Sequence, residues 1–351
     1  MTTEVAVIGF AQSTIGIRDD STTGGVEMLS PLFREVYAQT GLTRRDIGFW
    51  CSGSSDYLAG RAFSFVQAVD AIGASPPIME SHVEMDGAWA LYEAWVKILT
   101  GEVDTALVYG FGKSSGAELN RVLALQLDPY LLAPLWPDAM SVAALQARLG
   151  IEAGLWTEKD MAQVAARSLA SAVSNPRAQV CDDGASIESL LARPYVADPL
   201  RAHDCAPVGD GAAVVILASA DKARELCQRP AWITWFGHRI ESASLGARDL
   251  TTLAPLGPQG KPVEVAELHA PFSHQELILR EALAPSVTGE TEVNPSGGAL
   301  AGNPMFAAGL ARIGYAAQAI MTGRARTALG HATGGPALQQ NLVCVLSGES
   351  S

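Results

Sequence analysis

The chain has 351 residues, of which 48% are hydrophobic, 17% are charged and 34 are glycine. This length exceeds what one average hydrophobic core supports, so we expect a compact globular protein with two domains or one large layered domain. The net charge of -13 without a Lys/Arg cluster argues against nucleic-acid binding, and no apolar run approaches the roughly 18 residues of a membrane span.

The first part of the chain alternates strands and helices. Apolar runs predict buried strands, and apolar residues spaced three and four apart predict helices. In chain order the segments are EVAVIGFAQS (strand), SPLFREVYAQTGL (helix), DIGFWCSGSS (strand), AFSFVQAVDAIG (helix), PIMESHVEM (extended), GAWALYEAWVKILTG (helix) and VDTALVYGFG (strand). Gly41, Gly73 and Gly101 end the three helices. The order predicts an α/β protein with a mainly parallel sheet.

Residues from 113 to about 160 are less regular, which predicts an excursion that covers a site or a subunit face. Regular spacing then returns. In chain order the segments are EKDMAQVAARSLASAV (helix), NPRAQV and ARPYVADPLRAHDCAP (loops and short strands), VGDGAAVVILAS and PAWITWFGHR (strands), VEVAELHAPFSHQELILREAL (strand, then helix), FAAGLARIGYAAQAIMTG (helix), and ARTALGHATGG and NLVCVLSG (closing strands). The second alternation predicts two similar halves, residues 1–221 and 229–351.

The cysteines and the start of the chain indicate the compartment. The five cysteines are odd in number and lack CxxC spacing, which predicts reduced thiols, most of them buried, and argues against a disulfide framework or a structural zinc site. They are Cys51, Cys181, Cys205, Cys227 and Cys344. The start, MTTEVAVIGFAQ, lacks a basic segment followed by an apolar one with a cleavage site, so we expect a cytoplasmic protein.

Four segments go beyond a generic α/β pattern: GDGAAVVIL, AELHAPFSHQEL, NPSGGALAGNPMFAAG and HATGGPALQQNL. In this order and spacing they resemble the thiolase superfamily, in particular sterol-carrier-protein-type thiolases and bacterial lipid-transfer-protein homologues. NPSGGALAGNP is the most specific segment, and the resemblance extends over essentially the whole chain.

The resemblance implies the five-layered αβαβα thiolase fold with two similar halves. It also implies an acyl-CoA thioester substrate and no separate cofactor or metal, since CoA is part of the substrate. Glycine-rich turns suit such a ligand because a backbone without Cβ allows the thioester and pantetheine arm to approach main-chain N–H groups. Donors aimed at a thioester oxygen stabilise the enolate or oxyanion that develops there.

The turn HVEMDGAWAL lies where the family carries its nucleophile. Family thiolases have a Cys in a CxxGxxAL turn at a helix N-terminus, and the matching residues here run from Glu84 to Leu91, with Glu84 in place of the Cys. A carboxylate is a poor substitute for acyl exchange, but Glu84 could act as a base or hold a structural position. Asp86 either contributes to the substrate site or caps the helix.

The remaining motif positions are altered in part. His269 in AELHAPF matches the His of the sterol-carrier-type HDCF motif and could bind a thioester carbonyl or move a proton. Asn303, which follows Gly302 in GNP, stands where thiolases have the His of GHP. His331 lies near the C-terminal Cys–Gly–Gly–Gly motif; Gly334 and Gly335 are present, but the acid/base Cys is not. Structural roles for the buried histidines are the alternative.

The resemblance implies three functions. Cysteine-free relatives in this branch include steroid side-chain aldolases, so the leading hypothesis is retro-aldol cleavage of a β-hydroxyacyl-CoA, with His269, His331 and Glu84 as acid or base and Asn303 as a thioester ligand. A loop tyrosine such as Tyr57 or Tyr130 is a further candidate base. The second hypothesis is a thiolase or acyltransferase with an unusual nucleophile, for which Cys51 is the first candidate. The third is a catalytically inactive acyl-CoA-binding subunit.

The resemblance also implies partners. The family forms dimers through the sheet of its N-terminal half, so we expect a homodimer. The steroid aldolases of this branch work with a small DUF35 protein, which has an OB-fold and a zinc ribbon. We therefore expect a heterotetramer of two chains of each kind.

Overall fold

A computed structural model describes residues 4–17, 23–58, 63–130, 132–242, 244–258 and 260–350. The strands in these ranges are β1 Val5–Gln12, β2 Phe49–Gly53, β3 Glu80–Val83, β4 Thr105–Gly112, β5 Tyr195–Ala197, β6 Leu200–Arg201, β7 Val208–Gly209, β8 Gly211–Ser219, β9 Ala231–Ile240, β10 Val265–Glu267, β11 Glu292–Val293, β12 Asn303–Pro304, β13 Thr327–Gly334 and β14 Gln340–Ser347. The helices are α1 Gly25–Thr40, α2 Ser64–Ile72, α3 Gly87–Leu99, α4 Leu119–Leu125, α5 Ala139–Glu152, α6 Glu158–Ala172, α7 Ile187–Leu191, α8 Ala220–Leu226, α9 Ser273–Ala282 and α10 Ala308–Met321.

Ten strands form one sheet made of two five-stranded halves with the same strand order. The N-terminal half runs β3-β2-β4-β8-β1 and the C-terminal half runs β11-β10-β13-β14-β9. In each half the third strand in the chain is outermost and the first and last strands pair antiparallel. A short antiparallel contact between β1 and β9, which includes Val7 and Ala231, joins the halves.

The layers follow from which side chains share a core. Alternate residues of both halves pack against α3 and α10, which therefore form a central helical layer. The opposite face of the N-terminal half packs against α1 and α2, with Leu29 and Trp50 buried there. The opposite face of the C-terminal half packs against α9 and α5. The five-layered αβαβα arrangement predicted from the resemblance is thus present.

Two predictions about regular structure need correction. The sheet is mixed rather than mainly parallel, because the last strand of each half turns back and pairs antiparallel with both of its neighbours. The excursion is also more regular than expected, since α4 and α5 lie within it. Alanines on α5 are buried by neighbouring elements, which supplies the packing that its weak periodicity did not reveal.

Helix α1 begins earlier than its sequence pattern predicted. It starts at Gly25 and continues through Pro31, because the Glu27 carboxylate accepts the Gly24 N–H and Met28 and Leu29 are buried against the sheet. Among the described helices, none combines the length and apolar character that a bilayer crossing requires.

Candidate active site

The turn that replaces the nucleophile lies between β3 and α3. Glu84 follows the last residue of β3, and its side chain is 55% exposed. Within the described residues its polar partner is His82, whose Nε2 lies 3.5 Å from Glu84 Oε2. The Oγ of Ser52 lies 2.9 Å from the other ring nitrogen of His82. Glu84 is therefore accessible and touches neither His269 nor His331.

Asp86 caps two helices at once. It is the N-cap of α3, where Oδ1 accepts the Ala88 N–H at 2.9 Å. It also accepts the N–H groups of Gly309 and Leu310 in the first turn of α10, each at 2.9 Å. Burial raises the pKa of Asp86, while these three hydrogen bonds oppose the rise. The capping alternative is confirmed; a contribution of Asp86 to substrate binding remains a prediction.

Close backbone packing holds the two helix starts together. Phe306 accepts the Gly87 N–H at 2.9 Å. A Cβ at Gly110 would lie 2.2 Å from the same carbonyl oxygen, and a Cβ at Gly309 would lie 2.5 Å from the Cβ of Ala332. Glycine is required at both positions, since no side chain fits these contacts. The Glu84 turn, the Asn303 segment and the end of β13 are consequently fixed near one another.

His269 and Asn303 form a buried pair. His269 follows β10, and Asn303 begins β12. The backbone N–H of Asn303 donates to the Pro207 carbonyl. The Thr333 N–H donates to His269 Nδ1 at 3.3 Å, so the ring proton lies on Nε2. Nε2–H then donates to Asn303 Oδ1 at 3.0 Å. The amide is oriented by this bond, and its Nδ2 donates no hydrogen bond among the described residues.

The environment keeps His269 neutral. Burial is the main cause that lowers its pKa to about 4; the hydrogen bond to Asn303 opposes the shift, and the nearby Arg312 guanidinium contributes to it. A neutral ring whose lone pair already accepts the Thr333 N–H is a poor base but a fixed donor. The arrangement suits His269 to hold the Asn303 amide in place.

His331 lies in the interior of the C-terminal half. Its side chain is fully buried on β13, and Nε2 donates to Asn341 Oδ1 at 3.1 Å. The Asn341 amide is itself fixed by donating to the Leu338 carbonyl at 2.8 Å. Burial lowers the pKa of His331 to about 3, with a smaller contribution from His269 nearby. Its Nδ1 has no partner among the described residues.

The glycines proposed for substrate binding border this region. Gly302 directly precedes Asn303, and its N–H donates to the Ala299 carbonyl. Gly334 ends β13 opposite Gln340. Gly335 has a φ of +70°, a conformation that favours glycine. One end of the C-terminal half thus brings together His269, Asn303, His331 and these glycines. Glu84 is connected to this region through Asp86 of its own turn, which bonds to the start of α10.

The alternative nucleophile is buried, whereas the alternative bases are exposed. Cys51 is fully buried on β2, and burial raises the pKa of its thiol to about 12, so the reactive thiolate is disfavoured. Tyr57 and Tyr130 are 70% and 86% exposed. Neither tyrosine has a contact with His269 or Asn303.

Three residues escaped the sequence analysis. Thr333 acts through its backbone, Asn341 orients His331, and the Asn294 side chain accepts the N–H of Leu268, next to His269, at 2.6 Å. Asn294 lies within the NPSGG segment, which was a usable signal. The Asn341 contact depends on the register between β13 and β14, and the Thr333 contact depends on the pairing of β13 with β10; no local pattern reveals either.

No family model matches the chain. An acetyl-CoA acetyltransferase of Methanothermobacter thermautotrophicus is 27% identical over 353 residues, covering 88% of each chain. A 17-hydroxy-3-oxo-4-pregnene-20-carboxyl-CoA lyase of Mycobacterium tuberculosis is 28% identical over 147 residues, covering 39% of this chain and 38% of the lyase. Human sterol carrier protein 2 is 26% identical over 284 residues, covering 64% of this chain and 49% of that protein.

Solved structures agree on the fold. An Ltp2-ChsH2(DUF35) aldolase has a TM-score of 0.77 and 16% identity, covering 99% of this chain and 98% of its own. The human mitochondrial 3-ketoacyl-CoA thiolase has a TM-score of 0.75 and 14% identity, covering 99% of both chains. The predicted resemblance is confirmed: the chain has the thiolase fold, and its sequence is similar to thiolase-superfamily acyl-CoA enzymes that include sterol carrier protein 2 and a steroid side-chain CoA lyase.

Proposed function

We propose that the chain is a carbon–carbon lyase that cleaves a β-hydroxyacyl-CoA by a retro-aldol reaction. The observation that carries the proposal is the His269–Asn303 pair, a buried neutral donor pair in a site whose turn has Glu84 where a nucleophile would be. Such a site can stabilise an enolate without forming a covalent intermediate.

The chemistry balances without a co-reactant. A base removes the β-hydroxyl proton, the Cα–Cβ bond breaks, and its electrons move into the thioester as an enolate. A carbonyl compound leaves, and protonation at Cα gives the shortened acyl-CoA. Asn303 Nδ2 would donate to the thioester oxygen while His269 holds the amide from behind. Glu84, which is accessible, would be the base. His331 would support the site through its proximity to His269.

The acyl group and the protein partners belong to the same proposal. A steroid or similarly branched side chain is suggested by the name of the mycobacterial lyase. A DUF35 partner is suggested by the Ltp2-ChsH2(DUF35) aldolase, with which the chain shares its fold. A homodimer through β3 is supported by the position of this strand at the end of the sheet and by the exposed Met79 beside it.

A second candidate function is acyl transfer of the thiolase type. It is favoured by the similarity to the archaeal acetyl-CoA acetyltransferase, which extends over 88% of the chain. The burial of Cys51 and the raised pKa of its thiol speak against a cysteine nucleophile at that position.

Product analysis by mass spectrometry tests these functions. The protein would be incubated, alone and with a DUF35 partner, with a steroid-side-chain β-hydroxyacyl-CoA in the absence of free CoA. Release of a shortened acyl-CoA together with an aldehyde or ketone is the expected result. Cleavage of the β-keto thioester, only when free CoA is added, would instead establish acyl transfer. Binding of acyl-CoA without turnover of either substrate would indicate an inactive subunit.

A further inference from the structure

A buried carboxylate connects helix α6 to the backbone beside His269. Glu276 on α9 is almost fully buried, and its Oε2 accepts the Asn294 Nδ2–H at 2.9 Å. The other end of the same amide, Asn294 Oδ1, accepts the Leu268 N–H at 2.6 Å. The side-chain oxygen of Asn294 thus takes the place of a backbone carbonyl as acceptor for the chain just after β10. The hydrogen bond to Glu276 fixes the orientation of the Asn294 amide.

The charge of Glu276 is balanced from helix α6. Arg167 on α6 donates from Nη2 to Glu276 Oε2 at 2.5 Å. Within the described residues Glu276 Oε1 has no partner, so Arg167 is the cation on which this buried carboxylate depends. Removing one member of a buried ion pair leaves an uncompensated charge, which the surrounding structure relieves by moving.

The backbone conformation of Asn294 links the orientation of its side-chain amide to the position of the NPSGG loop. Its φ is +51°, which is uncommon for a residue other than glycine. Its backbone carbonyl accepts the Gly297 N–H, and Ser168 of α6 donates its hydroxyl to the Gly297 carbonyl. Helix α6 therefore contacts the NPSGG loop directly through Ser168 and indirectly through Arg167 and Glu276. A shift of α6 would reach the backbone at Leu268 and, one residue later, His269.

We propose that Arg167 and Glu276 are positioning residues that set the geometry of the His269–Asn303 pair through Asn294. This inference rests on the proposed function for its kinetic consequence, but its structural consequence stands separately. Arg167 lies in the wall of an open groove of about 570 Å³ between α6 and α9, and its side chain is 34% exposed. A small cation could therefore replace a deleted Arg167 side chain from solvent.

Chemical rescue provides the kinetic test. Arg167→Ala should lower kcat for acyl-CoA cleavage roughly 10- to 100-fold with a smaller change in KM, because displacement of a positioned group by about 1 Å costs on that order. Millimolar methylguanidinium should restore much of the lost kcat, and Arg167→Lys should lose less than the alanine variant. The control is Glu158→Ala at the start of α6, which breaks the ion pair with Arg201 of β6 and touches no partner of Asn294; it should keep kcat and show no rescue.

A spectroscopic measurement separates this inference from the proposed function. In ¹⁵N-histidine-labelled protein, Arg167→Ala should shift the ring signals of His269, methylguanidinium should reverse the shift, and Glu158→Ala should leave the signals unchanged. If the wild type cleaves no acyl-CoA, the proposed function fails and the ring signals alone decide. Unchanged His269 signals in a folded Arg167→Ala protein, or a kcat loss that methylguanidinium does not reverse, would overturn the positioning role.

Discussion

Asp86 Oδ2 accepts the Gly309 N–H at 2.9 Å, so one carboxylate at the start of α3 also closes the start of α10, 223 residues further along the chain. The two helices belong to different halves of the fold, and both form the central layer. The Glu84 turn is therefore held in place by a cap that serves both halves.

Replacing Asp86 should destabilise the protein strongly. Asp86→Ala leaves three buried N–H groups without an acceptor, at a cost of about 1–3 kcal/mol each, so the free energy of unfolding should fall by about 3 kcal/mol or more. Urea unfolding measures the change. Asp138→Ala, which removes the half-buried N-cap of α5, is the matched control and should cost about 1 kcal/mol. Equal losses would show that the second helix gains nothing from Asp86.

His269→Asn should abolish most of the lyase activity while the fold persists. Without the ring, Asn303 loses the donor that orients its amide, and we expect a decrease in kcat of about 10²-fold or more, as for other groups that act in proton transfer or charge stabilisation. Steady-state kinetics measures it. His274→Asn is the control, because His274 is also buried but its ring bonds to Gln146 of α5 rather than to Asn303. A comparable kcat loss in both variants would assign the effect to general disruption of the core.

Glu84→Gln should separate catalysis from stability. The side chain is exposed and its contact with His82 is long, so the free energy of unfolding should change by no more than about 0.5 kcal/mol. Removal of the base should nevertheless lower kcat for cleavage by about 10²-fold or more. Parallel urea unfolding and kinetic assays test both parts. Full activity in Glu84→Gln would remove Glu84 from the mechanism.

Stability should fall as the pH is lowered from neutrality. Burial lowers the pKa of His269 to about 4, and those of His274 and His331 to about 3. Their folded-state pKa values lie below the unfolded value of about 6.5, so the unfolded chain binds more protons in this window. The stabilisation is complete above about pH 6.5 and is lost as the pH falls towards 4 and 3. Three such groups give a slope of up to about 4 kcal/mol per pH unit.

Urea midpoints at several pH values between 7.5 and 4.5 measure this slope. The buried carboxyls of Asp86 and Glu267 act in the opposite sense, because burial raises their pKa. A comparison with His274→Asn isolates one histidine, and the slope of this variant should be lower by about 1.4 kcal/mol per pH unit. An unchanged slope would mean that His274 is not buried in the neutral form.

Thiol alkylation should leave cleavage activity intact. Cys181 is the exposed cysteine, so iodoacetamide should modify it first, whereas Cys51 is fully buried with a raised thiol pKa. Peptide mapping locates the label, and an activity assay follows it. Inactivation that parallels labelling of Cys51 would instead support the thiolase-type alternative.

The sequence alone predicted the order of the principal strands and helices, because apolar periodicity and glycine stops are local signals. It also located His269, Asn303 and the Glu84 turn, since these stand in motifs that the resemblance aligns. It did not predict α5, because burial by distant elements stabilises that helix. It did not predict that the closing strand of each half runs antiparallel, because that direction depends on how the chain reverses within the sheet.

Only the tertiary structure decided the surroundings of the candidate site residues. That His269 is neutral follows from burial and from the Thr333 N–H, which is 64 residues away in the chain. That Asp86 serves two helices requires α10 to begin beside α3. His331 has an imidazole side chain that could move a proton, yet its place inside the sheet surrounds it with buried protein groups. Local sequence specifies which groups are present, whereas desolvation and hydrogen-bond partners, which set their protonation and direction, come from segments far apart in the chain.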